Sequence, residues 1–218
     1  MILNDEQQQE LQKELNYAVK YRETYDEVYD HVVSAIEHIA DDKVTDVAVA
    51  ARQIINEEFG GYDALKAMEK DRVKLMNFAM RKKHFQHMMQ FLNFPVVGFT
   101  AVITVAAYFI AGNPVSRGYL LEFTTASAVV PMLFILYKKL SEKFKQWKFD
   151  IYKKQSIKDN YIFIAALLSN STFNLLNIAN HRIQMNAGVC IFIFVFYMVY
   201  VLSFFKLYKD EFKMDIAR

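Results

Sequence analysis

Four long apolar runs fill the second half of this 218-residue chain, and they decide what it can fold into. They are Leu92–Gly112, Tyr119–Tyr137, Tyr161–Ala179 and Ala187–Phe205. A helix needs about 20 apolar residues to cross a hydrocarbon core. A single run fits a buried core helix as well as a span. Four of them are more than the small polar remainder could bury. The sequence therefore predicts four membrane-spanning helices.

The loops between the runs set the orientation. Lys66, Lys70, Arg72, Lys74, Arg81, Lys82 and Lys83 precede the first run, and only Arg117 follows it. Eight lysines from Lys138 to Lys158 separate the second and third runs, and only Arg182 separates the third and fourth. Lys206, Lys209, Lys213 and Arg218 close the chain. Basic and nearly base-free segments alternate, so both termini are expected in the cytosol. The outer loops, 113–118 and 180–186, are too short to hold an external domain. Met1–Glu14 lacks a basic stretch followed by an apolar one, so no cleaved signal peptide is expected.

A net charge of +2 hides a division. Residues 1–64 carry fifteen acids and five bases, a balance of −10; the rest carries nine acids and twenty-one bases, a balance of +12. An acidic head offers nothing to phosphate backbones, so no nucleic-acid partner is expected there. The single cysteine, Cys190, has no internal disulfide partner and reads as a small buried hydrophobe.

Within the head, Asn4 and Asp5 can cap a helix to about Tyr21, with Leu11, Leu15 and Ala18 on one face. A second helix is expected over Glu23–Ala40, striped by Tyr25, Val28, Tyr29, Val32, Val33, Ile36 and Ile39. Thr45 can cap a third, ending at Phe59 before Gly60-Gly61, where glycine takes the left-handed conformation at little cost. A fourth starts near Tyr62 and runs toward the first span, and Pro95 marks a break or a helix start.

The stretch Tyr25-Asp26-Glu27-Val28-Tyr29-Asp30-His31-Val32-Val33-Ser34-Ala35-Ile36-Glu37, with Ala51-Arg52-Gln53-Ile54-Ile55 and Phe59-Gly60-Gly61-Tyr62, resembles the HAAS-type helical domain. That domain occurs in bacterial membrane proteins often encoded beside PadR-type transcriptional regulators. The resemblance covers about residues 1–70. It implies a small helical bundle, a regulatory or signalling association and a bacterial inner membrane. This chain has Val19-Lys20-Tyr21 where that domain often has a Leu-Pro turn. The resemblance implies no catalytic residues.

Several constellations carry chemistry. Glu27, Asp30, His31, Ser34 and Glu37 cluster on the second helix, a solvated acidic face suited to a partner protein; metal binding would need ligands from a second helix. Arg81, Lys82 and Lys83, with His84 and His87 beside them, form a basic collar for lipid headgroups, to which Trp147 belongs as an interfacial ring. His84 and His87 also have the spacing of a metal or pH-sensing pair. Leu140, Phe144, Trp147 and Ile151 repeat at helical spacing between lysines, as an interfacial helix or as a plain extension of the second span. Asn170, Asn174, Asn177 and His181 step by four, three and four along the third run. Lipid offers such groups no hydrogen bonds, so they should face protein as interhelical glue or line a polar path. Glu122 is expected to pair locally with Arg117. Phe192, Phe196, Tyr200, Phe204 and Tyr208 form an i+4 stripe for packing or lipid contact.

The chain has no glycine-rich phosphate loop, zinc-protease helix motif or nucleophile elbow. The expected architecture is all-α: a cytosolic helical head (1–68), a basic juxtamembrane helix (69–91) and a four-helix transmembrane bundle (92–208; spans 92–112, 119–137, 161–179, 187–205). An amphipathic loop (138–158) joins the middle spans, and a cytosolic tail (209–218) ends the chain. The expected function is non-enzymatic: a membrane-anchored regulator or scaffold whose head binds a protein partner, with no cofactor and no metal. Membrane lipids are the other partners, and a homo-oligomer stays open. The alternative is a small transporter or channel subunit with a polar path along the Asn face.

Overall fold

The computed structural model describes residues 3–38, 46–145, 154–183 and 186–213, without the side chains of 142–145, 172, 173, 176, 177, 179–183 and 213. Among the described residues every regular element is α-helical. In chain order these are α1 (Asp5–Ala18), α2 (Arg22–His38), α3 (Val47–Phe59), α4 (Tyr62–Gln90), α5 (Val96–Ala111), α6 (Pro114–Lys145), α7 (Ile157–Ile183) and α8 (Ala187–Lys213). The chain divides into two compact units, Met1–Phe78 with Lys148–Asn160, and Ala79–Trp147 with Tyr161–Arg218.

The first unit is built on α1, α2, α3 and the start of α4. Asn4 and Gln7 form a reciprocal capping box, with Gln7 N–H donating to Asn4 Oδ1 at 2.8 Å and Asn4 N–H to Gln7 Oε1 at 3.0 Å. Such a cap contributes about 1 kcal/mol. Leu11, Leu15, Val28, Val32, Ile36, Ala51 and Ile55 are fully buried, joined by Leu65 of α4. These are the positions that helical spacing selects, and the core follows from it. Gly60 (φ 75°) and Gly61 (φ 89°) end α3, and Gly61 N–H donates back to the Ile55 carbonyl at 3.0 Å. A side chain at either position would be strained by the positive φ alone.

Three boundaries differ from expectation. Asp46 caps α3, its Oδ1 accepting from Val49 N–H at 3.0 Å; Thr45 lies outside the described residues. α1 stops at Ala18 rather than Tyr21, because Val19 turns to extended backbone (φ −130°, ψ 149°). The third difference is the start of α6 at Pro114, inside what reads as an outer loop. Proline is preset for the first helical position, and the Asn113 side chain accepts from Val115 N–H at 2.9 Å.

In the second unit α5, α6 and α8 pack together. Ala107, Ala111, Leu120 and Phe194 form one buried cluster, and Ala128, Ile193 and Tyr197 another. Pro95 stands at the N-cap of α5, where the sequence marks a break. α6 runs on to Lys145 as one helix, so the first half of the amphipathic stretch extends it. Trp147 and Ile151 lie outside the described residues. Two helices, α6 over Pro114–Ser141 and α8 over Ala187–Phe212, are long and apolar enough to cross a membrane. α5 is apolar but has 16 residues, about 24 Å at 1.5 Å per residue. α7 carries the Asn and His residues that lower its hydropathy.

Candidate functional site

The polar groups of the first unit converge where α1 ends. Lys20 and Tyr21 lie between the end of α1 and the start of α2, where their N–H groups have no helical carbonyl to meet. Glu69 of α4, itself 8% exposed, accepts both through Oε1 at 2.8 Å. Lys154, 138 residues beyond Asn16, donates to the Asn16 carbonyl at 2.9 Å and to the Val19 carbonyl. Its ammonium also sits 5.4 Å from the centre of the Tyr25 ring. Burial pushes the Lys154 ammonium below its ordinary range.

The same return segment is held at its other end. Glu23 accepts from the Ser156 hydroxyl, and its two carboxylate oxygens lie 3.1 Å from Ile157 N. A carboxylate at the first turn complements the helix dipole and satisfies an orphan donor, so Glu23 acts as the N-terminal cap of α7. A single bridge pairs Tyr21 with Gln155. Segment 154–160, which reads as part of a loop between spans, is thus built into the fold of the head.

The acidic face of α2 is partly used within the unit. Glu27 pairs with Arg72 of α4, and His31 pairs with Glu58 of α3. His31 and Glu27 therefore go to different helices instead of sharing a ligand set. The Ser34 carbonyl lies 2.6 Å from His38 Nδ1. Asp30, Ser34 and Glu37 are exposed. On the far side Arg52 clasps Glu14 at 2.8 and 2.9 Å, and the Tyr62 hydroxyl donates to Glu14 at 2.6 Å. The Arg52 hydrogen bond holds the Glu14 carboxyl below the usual range.

The basic collar is exposed, and one of its members also reaches α8. Arg81, Lys82 and Lys83 are all exposed, and Lys83 bonds Glu211 of α8 at 2.5 Å. The two histidines part company. His84 is buried, with Nε2 3.1 Å from Ser203 Oγ and its ring 4.9 Å from that of Tyr200. His87 Nε2 lies 3.4 Å from Asp210. At the end of α6, Lys138 lies over the rings of Tyr208 and Phe212, and Lys139 over Phe163.

Desolvation drives the His84 pKa down to about 4, with His87 adding to it and a hydrogen bond with the Tyr200 backbone opposing it. A depressed pKa gives stability that is complete above the unfolded value of about 6.5 and is lost as pH falls toward 4. The detergent-purified protein should therefore lose thermal stability between pH 7 and pH 4.5, by up to about 3 kcal/mol from this group. His84→Gln, which keeps a donor and does not titrate, should flatten that part of the profile. An unchanged profile would show that His84 protonates without cost.

Of the Asn face, Asn170 is half-buried and its amide lies 3.7 Å from Met132 Sδ on α6. Asn174 is exposed and donates to Asn170 Oδ1 at 3.1 Å. Asn177 and His181 fall on α7 with side chains outside the described set. Two tyrosines of α8, of which Tyr200 belongs to the aromatic stripe, hold α7 instead: the Tyr197 hydroxyl donates to the Ser169 carbonyl at 3.0 Å, and that of Tyr200 to the Ala165 carbonyl at 2.9 Å. The stripe turns about 40° with each four-residue step. Phe192 and Phe196 consequently face outward while Phe204 is fully buried. Arg117 donates from Nε to the Ala111 carbonyl at 3.1 Å, and Glu122 is exposed. Cys190 is buried.

Glu69, Glu23, Lys154, Ser203, Asp210 and Glu211 have no counterpart in the sequence-based site. Each meets a partner far away in sequence, which no local period records. No family model matches this chain, and no curated protein and no solved structure matches it either.

Proposed function

We propose that this chain is a non-enzymatic regulatory or scaffold protein of a bacterial inner membrane, with α5–α8 as four spans and an acidic cytosolic head that holds a protein partner. The observation that carries this reading is the return segment. Glu23 caps the first turn of α7, and Lys154 and Glu69 organise the chain beside it. A partner that grips the head acts on the residues that begin the third span. The resemblance of residues 1–70 to the HAAS-type domain supports a signalling role.

Two features support the four spans. Large apolar side chains point outward from α5, α6, α7 and α8 alike, among them Val102, Phe123, Leu168 and Phe192. Water would oppose such a surface, and hydrocarbon covers it without cost. The second feature is connectivity: residues 1–78 and 148–160 belong to one compact unit, which supports reading α5 and α6 between them as an out-and-back pair. Gln90, before α5, meets Lys206, near the end of α8, at 2.5 Å, which suits an even number of crossings. The Asn170 amide is engaged with Met132 and Asn174, as glue is.

Photo-crosslinking in intact cells tests the partner. A photoreactive side chain at Asp30 or Glu37 should capture a protein, and one at Val102 should capture lipid. Capture at position 30 should weaken as salt rises in permeabilised cells, because exposed charges are screened within about 10 Å at 0.1 M. No protein adduct at either acidic position would contradict the reading.

A further inference from the structure

A cavity of about 700 Å³ opens beside the last two turns of α4 and the end of α8, within the second unit. That volume is in the range of sites that hold small ligands. Its lining is of mixed charge. Asp210 and Glu211 come from α8, and Lys83 and His87 from α4, with Lys83 2.5 Å from Glu211 and His87 Nε2 3.4 Å from Asp210. Gln90 adds a carboxamide oxygen that already accepts from Lys206 at 2.5 Å. The C-terminal turns of two helices also bring their carbonyl ends here, which favours positive charge.

A purely anionic ligand would meet two carboxylates and two helix C-termini. A purely cationic one would leave Lys83 and His87 facing it. A zwitterion fits both halves, its phosphate on Lys83 and His87 and its ammonium on Asp210 and the Gln90 oxygen. A primary ammonium suits these oxygen acceptors, since it has N–H groups to donate. A quaternary one has none, and is recognised instead by aromatic cages. Among the described residues Phe85 is the one Phe, Tyr or Trp in the lining, too few for such a cage. Phe85 and Met89 line the cavity and are also exposed, at 61% and 39%, and Leu92 and Phe94 continue the apolar surface. That surface suits acyl chains.

We propose that this cavity binds the headgroup of a phospholipid carrying a primary amine and a phosphate, the phosphatidylethanolamine type, in preference to choline or glycerol headgroups. The inference rests on the membrane reading above, because the tails need a bilayer beside α4.

The test uses the full chain purified in mild detergent, with thermal unfolding followed by circular dichroism. Phosphatidylethanolamine, phosphatidylcholine and phosphatidylglycerol with identical acyl chains are added at equal mole fraction, alongside free phosphoethanolamine. The ethanolamine lipid should raise Tm by about 5 °C more than the other two, a shift within reach of ordinary ligand stabilisation. Free phosphoethanolamine should have little effect. Asp210→Asn should reduce the ethanolamine response to the choline level while leaving the glycerol response in place, and Lys83→Met, which removes a phosphate contact common to all three lipids, should weaken every response. Equal shifts from all three lipids, full selectivity in Asp210→Asn, or undiminished responses in Lys83→Met would overturn the proposal. An equal shift from free phosphoethanolamine would make this a solute site and overturn the lipid assignment. Failure of the membrane reading would look different: alkaline carbonate would release the protein from membranes before any lipid was added.

Discussion

Glu69→Ala should destabilise the head by about 2–4 kcal/mol, the largest effect of any single polar substitution there. Glu69 is buried, and one of its oxygens accepts from both Lys20 N–H and Tyr21 N–H at 2.8 Å. Those donors are orphaned because α1 ends at Ala18 and Val19 is extended. Hydrogen bonds to a charged group contribute about 1.5–3 kcal/mol each, and an unsatisfied buried donor costs about 1–3 kcal/mol. Water can reach Lys20, which is exposed, but not Tyr21, which is buried, so the full sum is not expected. Proteolysis of the full-length protein in increasing urea measures the loss. The openable fraction of the head should rise roughly thirty-fold or more, since about 1.4 kcal/mol is tenfold. Glu69→Gln keeps an acceptor and should fall between. A change below about 0.5 kcal/mol, ordinary for a surface site, would mean that the carboxylate does not organise this corner.

Lysine at an outward position of the bundle should be nearly as costly, and only in a bilayer. Val102 lies mid-way along α5 and is 67% exposed; Val130 of α6 is 44% exposed. On the surface of a water-soluble protein, lysine at such sites changes stability by about 0.5 kcal/mol or less. At the centre of a membrane-spanning helix it costs about 2.5–3.5 kcal/mol for insertion. Val102→Lys and Val130→Lys should each reduce the membrane-inserted fraction sharply, and Tyr17→Lys, at a position 91% exposed in the head, should not. Wild-type insertion of both bundle variants would argue that these faces do not meet lipid.

Much of the helical pattern is legible in the residues, because it is local. Asn4 with Gln7, the buried Leu11, Leu15, Val28, Val32 and Ile36, and the Gly60-Gly61 stop all follow from spacing within a few positions. Pro95 and Asn113-Pro114 set helix starts for the same reason, although the second reads as loop until the proline is weighed as a first helical residue. What is not legible is polar and distant. Glu23 meets Ile157 across 134 positions, Lys83 meets Glu211 across 128, and His84 meets Ser203 across 119. By themselves Glu23, Lys83 and Glu211 read as exposed charges and His84 as a collar histidine. Only the fold reveals that Lys154 is a structural cation and that His84 and His87, three apart on one helix, have different environments. The Asn face is an intermediate case. Its spacing marks Asn170 and Asn174 as one set, yet the fold places Asn170 against α6 and leaves Asn174 exposed.

A cytosolic head that holds the start of α7 requires the return segment to share its side of the membrane. In a Cys190→Ser background, Val115→Cys and Gln155→Cys each give one thiol, at the turn into α6 and in the return segment held by the head. An impermeant maleimide added to intact cells should label position 115 and leave position 155 unlabelled until the membrane is permeabilised. Labelling of position 155 from outside, or protection of position 115 with access at 155, would contradict a cytosolic head that carries its return segment with it.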